Sequence, residues 1–201
     1  MNLSNDQSVK NEPGIGYSMG LNTSYQLNSW SEIVFLISLL QKNYEIARTD
    51  SLSGAYQKYN NKYLQVPLFI DLKTGKKLRL SFEPGIFMSY WISSRTYGEI
   101  PNILSANTGK DANGNYYDQL TLTSFNQSVS LNAEHVNRFE YGWALGIQAE
   151  KGINALCGIY GSIRYYYSLS DTQEKYVLNQ SPEYNRTMTL TIGIRFKTKI
   201  K

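Results

Sequence analysis

Seven stretches of the chain alternate between bulky apolar and small or polar side chains, and this period of two constrains the fold more than any other feature. The last of them, TMTLTIGIRF at 187–196, sets Met188, Leu190, Ile192, Ile194 and Phe196 against Thr187, Thr189, Thr191, Gly193 and Arg195. The others cover 14–27, 31–46, 62–72, 78–92, 138–150 and 155–169. Each reads as a β-strand with two unlike faces. In 31–46 the middle is apolar on both sides, and Ile33, Phe35, Ile37 and Leu39 are assigned to the apolar face.

Alternation alone does not say which face is inside. In a soluble barrel the apolar face is the core; in a membrane barrel it meets lipid. The composition of the polar face decides between them. A strand surface in water normally carries Lys, Glu and Thr, whereas this face carries Gly, Ser, Ala and Thr with few charges: Arg79, Glu83, Glu140, Arg164 and Arg195. Glycine weakens a strand and needs a steric reason, which a narrow barrel interior supplies. The five charges are of both signs, as an internal ion-pair network requires, with Glu140 set against Arg164 and Arg195 and Glu83 against Arg79.

The apolar face is uniformly bulky. Leu80, Phe82, Ile86, Trp143, Leu145, Leu190, Ile192 and Ile194 are therefore expected to face lipid. Aromatic residues gather near the strand ends, Tyr17, Tyr63, Tyr90, Trp91, Tyr141, Tyr165 and Tyr167 at one end and Tyr25, Trp30 and Phe196 at the other. Two such belts fit the two interfaces of a bilayer. The competing reading is a soluble lipocalin-like β-barrel with the apolar face turned inward around a small apolar ligand.

Length and composition are compatible with the membrane reading. The 201 residues suffice for one domain. No run approaches the roughly 18–20 apolar residues of a transmembrane helix. The mean hydropathy of −0.41 does not exclude a barrel, because only every second strand residue has to be apolar. The net charge is +4, but the lysines are dispersed over turns, loops and the tail, so a nucleic-acid partner is not expected. Cys157 is the single cysteine and His135 the single histidine; neither a disulfide nor a metal site is expected, and no cofactor.

The connections alternate in length. NSW, KTGKK and KGIN are short, whereas 47–61, 93–137 and 170–185 are long and rich in Asn, Ser, Asp, Gly and Tyr. Short turns on one side and long loops on the other fit an outer-membrane meander. Within the longest loop, 116–131 alternates weakly and reads as a hairpin beyond the membrane.

The order and spacing of several motifs resemble the PorT-like outer-membrane β-barrels. They are YLQVPLFIDL, EPGIFMSYWI, FEYGWALGIQAE, IRYYYSL and LTIGIRF, spread between Gly14 and Phe196. The resemblance implies an antiparallel up-and-down transmembrane β-barrel of the eight-stranded type and an outer-membrane location. Some members of that family belong to secretion or gliding machinery. Only seven strands are counted here, while single-chain bacterial barrels use even numbers. Residues 1–13 are accordingly expected to be the remnant of an external loop and 14–199 the barrel domain. The first strand and a signal peptide are expected upstream of Met1.

Catalysis is not expected. His135 beside Glu134 has Ser124, Ser128 and Ser130 near it in sequence, but no motif supports a Ser–His pair. DANGNYYD at 111–118 begins like a calcium loop, yet its glycine is misplaced and Leu122 stands where a Glu is needed. The expected function is that of a membrane anchor or scaffold. Its partners are outer-membrane lipid and proteins met through the long loops, several of them studded with tyrosine, or through the short turns.

Overall fold

The structure, a computed structural model, describes residues 9–48, 54–110, 114, 116–131, 136–154, 156–171 and 184–196. The described residues form nine strands and no helix: β1 (Val9–Gly14), β2 (Ser18–Gln26), β3 (Ser31–Arg48), β4 (Tyr56–Thr74), β5 (Leu78–Lys110), β6 (Tyr116–Val129), β7 (Phe139–Gly152), β8 (Cys157–Ser168) and β9 (Arg186–Phe196). The chain divides into two compact units.

The larger unit gathers 17–40, 62–92 and 131–201. Its sheet runs β2, β3, β4, β5, β7, β8, β9, with antiparallel neighbours. Two of its short turns are built alike. The Asn28 side-chain carbonyl accepts from the backbone N–H of Trp30 at 2.9 Å and of Ser31 at 2.8 Å. Asn154 does the same for Leu156 at 2.9 Å and Cys157 at 2.7 Å. An asparagine oxygen that mimics a backbone acceptor is the usual chemistry of such turns.

This sheet curls on itself. Asn22 of β2 donates to the Tyr160 hydroxyl of β8 at 3.0 Å, and Arg195 of β9 reaches Glu32 of β3 at 2.8 Å. Strands distant in the sheet order thus meet across an interior. Seven alternating strands put β2 and β9 in the same direction, and both are edges of the described sheet. Outward side chains there lack a neighbour on one side. Leu21 and Ile192 are 85% and 80% exposed, against 42% for Leu68 and for Leu145 in flanked strands.

The facing is the one the composition of the two faces demands. Along β7 the odd positions from Phe139 to Ile147 are exposed and the even positions from Glu140 to Glu150 buried. In β3, Ile33, Phe35, Ile37 and Leu39 are exposed while Val34, Ser38 and Leu40 are buried, which resolves the ambiguous stretch. The soluble alternative needs the opposite facing.

The smaller unit gathers 1–16, 41–61 and 93–130, with strand order β1, β3, β4, β5, β6. Much of it corrects the loop boundaries read from sequence. Residues 9–13 lie in β1, paired with Tyr44–Arg48 of β3, rather than in a loop remnant. Residues 56–61 continue β4, and 93–137 contains the far part of β5 and all of β6. These segments mix Asn and Ser with the strand-favouring Thr and Tyr, and their polar surfaces hide the alternation. Tyr44 stacks on Tyr59 at 4.4 Å, Ser94 donates to Asn61 at 2.7 Å, and Arg95 donates to Asn126 at 2.7 Å. Most of 170–185 lies outside the described residues, as do residues 1–8.

Candidate functional site: a layered interior and its apolar outer face

The inward positions of β7, taken from the short-turn end, are Glu150, Gln148, Gly146, Ala144, Gly142 and Glu140, and each marks a layer of the larger unit's interior. The first layer is ionic. Arg79 pairs with Glu150, and Lys73 with Glu32. Arg195 donates to Glu32 at 2.8 Å and to Glu150 at 3.0 Å, and Asp71 lies 3.8 Å from Lys73 and 4.0 Å from Arg195. Three cations from β4, β5 and β9 thus face three carboxylates from β3, β4 and β7. Buried charges require such matching, because an unpaired one in this dielectric is strongly unfavourable.

The next layer is polar and uncharged, with Ser81, Gln148 and Ser162 at directly opposed positions on β5, β7 and β8. Beyond it Arg164 grips Glu83 in a bidentate pair, Nε to Oε2 at 2.7 Å and Nη2 to Oε1 at 3.0 Å. Two parallel charge-assisted bonds are the strongest arrangement open to these groups. Gly146 gives the pair room: a Cβ there would come within 2.8 Å of Glu83 Oε2 and 2.9 Å of Arg164 Cγ.

An apolar layer follows, made of Val34, Phe69, Phe87, Ala144 and Tyr166. Tyr166 meets Phe87 edge-on at 5.3 Å and Phe69 at 6.4 Å, and Phe69 is fully buried. The layer interrupts the polar interior. On its far side Ser89, Glu140 and Ser168 are buried, and Asn185 donates to Glu140 at 3.3 Å.

Glu83, Glu140, Arg164 and Arg195 are buried and Arg79 is part-buried, and their pairing differs from the sequence reading. Glu83 takes Arg164 rather than Arg79, and Arg79 takes Glu150. Glu140 sits six residues from Gly146 along β7, about 20 Å of strand, and the apolar layer lies between it and Arg164. Sequence distance along a strand measures depth, and Glu140 and Arg164 stand at different depths. The network also includes Glu32, Asp71, Lys73 and Glu150. Their signal was parity: each shares the inward phase of its strand, although Lys73 reads as a turn residue.

The outer face is continuous and apolar. Leu80, Phe82, Ile86, Trp143, Leu145, Leu190, Ile192 and Ile194 are all exposed. From Leu80 to Tyr90 the band spans eleven residues of β5, about 33 Å of strand, or about 25 Å along the normal at the usual tilt. At the end away from the short turns Trp143 stacks on Tyr167 at 5.2 Å and lies 6.0 Å from Tyr165. Arg138 caps Tyr90 at 4.6 Å and Arg186 caps Tyr167 at 5.3 Å, so cations edge the aromatic belt. Tyr63 and Trp91 do not belong to that belt. Tyr63 is buried and stacks on Trp91 at 5.6 Å, both in inward phase. His135 and Glu134 lie outside the described residues, as do Asp111, Asn113 and Asn115 of the candidate calcium loop.

Among known proteins, the family model described as outer membrane protein beta-barrel domain matches residues 1–174. No curated protein and no solved structure matches the chain.

Proposed function

Because the chain belongs to the outer membrane protein beta-barrel domain family, we propose that it acts in the outer membrane as an anchor or scaffold for protein partners of the secretion or envelope machinery, without catalysis of its own. The resemblance to PorT-like barrels points the same way. The partners are met through the long connections or the short turns, and lipid surrounds the apolar band. The apolar layer of Val34, Phe69, Phe87, Ala144 and Tyr166 carries this reading against that of a pore. Ions crossing it would shed their hydration against aromatic rings, at a cost of several kcal/mol or more.

Closure fits the proposal if one further antiparallel strand lies between β2 and β9. Those two edges run in the same direction, and an odd number of strands between them keeps every neighbour antiparallel. One such strand gives eight, the number whose interior is just filled by side chains.

The test is purification from the outer-membrane fraction, a comparison of cold and boiled migration in SDS, and reconstitution into planar bilayers. The expected result is a gel shift with no unitary conductance. Discrete wild-type conductance steps would overturn the scaffold reading in favour of a channel. Capture of envelope proteins by the folded barrel, lost on trimming the 93–129 hairpin, is the result expected if that hairpin holds a partner.

A further inference from the structure

The outer face of the larger unit is dented near its short-turn end. A groove of about 710 Å³ lies over β7, β8 and β9, lined by Leu78, Ala149, Ile159, Gly161 and Ile192, with Lys151 at its rim. Register explains the dent. Leu80, Ala149, Gly161 and Ile192 are side by side across β5, β7, β8 and β9, and the two central positions carry the smallest side chains of the row. Elsewhere the outward positions of β7 and β8 hold Trp143, Leu145, Ile147, Ile163, Tyr165 and Tyr167.

Gly161 stands apart from the other strand glycines of this unit. A Cβ at Gly142 would meet the Tyr167 carbonyl at 2.0 Å, at Gly146 the Glu83 carboxylate at 2.8 Å, and at Gly193 the Tyr160 ring at 2.4 Å. Each of those is glycine because its own chain leaves no room. A Cβ at Gly161 would meet nothing nearer than the Thr191 carbonyl at 4.0 Å. Glycine weakens a strand, and one in a strand interior marks a bulge, a bend or the close approach of another group. The regular register of β8 with β7 and β9 excludes a bulge.

The groove also has a polarity. Its walls are aliphatic apart from Tyr160, and its one charged lining residue, Lys151, is exposed and follows Ala149 on the outward face at the end of β7. No carboxylate pairs with Lys151 among the described residues. An apolar trough ending in a cation at the aqueous boundary has the polarity of a phospholipid.

We propose that this groove holds one phospholipid, its acyl chain lying over Gly161 and Ala149 and its phosphate on the Lys151 ammonium. The lipid is then a resident of a built site rather than part of the exchanging annulus. This inference rests on the membrane reading above.

Native mass spectrometry of the full chain, extracted from membranes in mild detergent, tests it. The expected spectrum has a folded protein carrying one phospholipid that survives detergent exchange. G161L, which fills the trough, loses the adduct; K151Q reduces it; both keep the cold-to-boiled gel shift. A149L is the second filling variant should G161L fail to fold. Wild type without retained lipid, or filling variants that retain it unchanged, would overturn the proposal. So would a dimer that disappears in G161L, because the groove would then seat a second copy. A protein that needs no detergent and shows no gel shift fails the membrane reading itself, an outcome distinct from a shifting barrel that carries no lipid.

Discussion

Arg164 of β8 holds both carboxylate oxygens of Glu83 of β5, at 2.7 and 3.0 Å, where neither side chain reaches solvent. The two residues come from strands that do not pair with each other; β7 lies between them and contributes only Gly146 at that level. The bond therefore spans the interior over a missing side chain, and its worth is that of a cross-brace between non-adjacent strands.

Glu83→Leu and Arg164→Leu each strand the other charge. Each single change should cost about 3–5 kcal/mol, while the double change to two apolar residues should recover most of the loss. Urea titration read by the cold gel shift measures all three. Single variants that melt like wild type would show that the pair bears no weight.

Two glycines separated by one strand boundary should behave in opposite ways. Gly146→Ala drives a methyl against Glu83 and Arg164 and should lower stability by about 1–3 kcal/mol. Gly161→Ala meets open space and should be neutral or stabilising by up to about 1 kcal/mol. The same denaturation experiment compares them directly.

The apolar layer should seal the interior. Phe69→Ala combined with Phe87→Ala removes two of its three rings, and the reconstituted double variant should admit small ions where wild type does not. Each Phe→Ala change should also cost about 3–5 kcal/mol, so the bilayer recordings are made on protein that still shows the gel shift. A silent, folded double variant would place the barrier elsewhere.

The seam between β2 and β9 can be probed with cysteines. With Cys157 changed to Ser, a cysteine pair at Leu21 and Ile192 reports their separation. One intervening strand holds the edges about 10 Å apart, beyond the ~7 Å limit of a disulfide. No cross-link is expected from folded protein. An efficient disulfide would mean that β2 and β9 meet directly and that the further strand does not exist.

The strands of the larger unit were legible because their two faces differ in volume as well as polarity. Leu145 against Gly146, and Ile192 against Gly193, are contrasts that a period of two carries without ambiguity. The orientation was legible too, because a face of Gly, Ser and Thr cannot serve as a charged aqueous surface. The pairing of charges was not. It depends on depth along each strand and on register between strands distant in sequence, such as Glu32 with Arg195. In the smaller unit both faces of β6 are Thr, Ser, Asn and Gln with scattered apolar residues, so strand and loop look alike there. The groove at Gly161 was invisible for a further reason: a glycine required by its own chain and one that spares room for something else are the same letter.

The two Asn-capped turns, at 27–31 and 153–157, close contacts between near neighbours in the chain. The Arg195–Glu32 bond joins residues 163 apart. Closing a loop of that length costs entropy that only the ordered strands between its ends can offset. Contact order therefore predicts that the Asn-capped hairpins form before the ionic layer, which requires every intervening strand. That layer is a clasp, and the time at which it fastens separates an inserted ribbon from a finished protein.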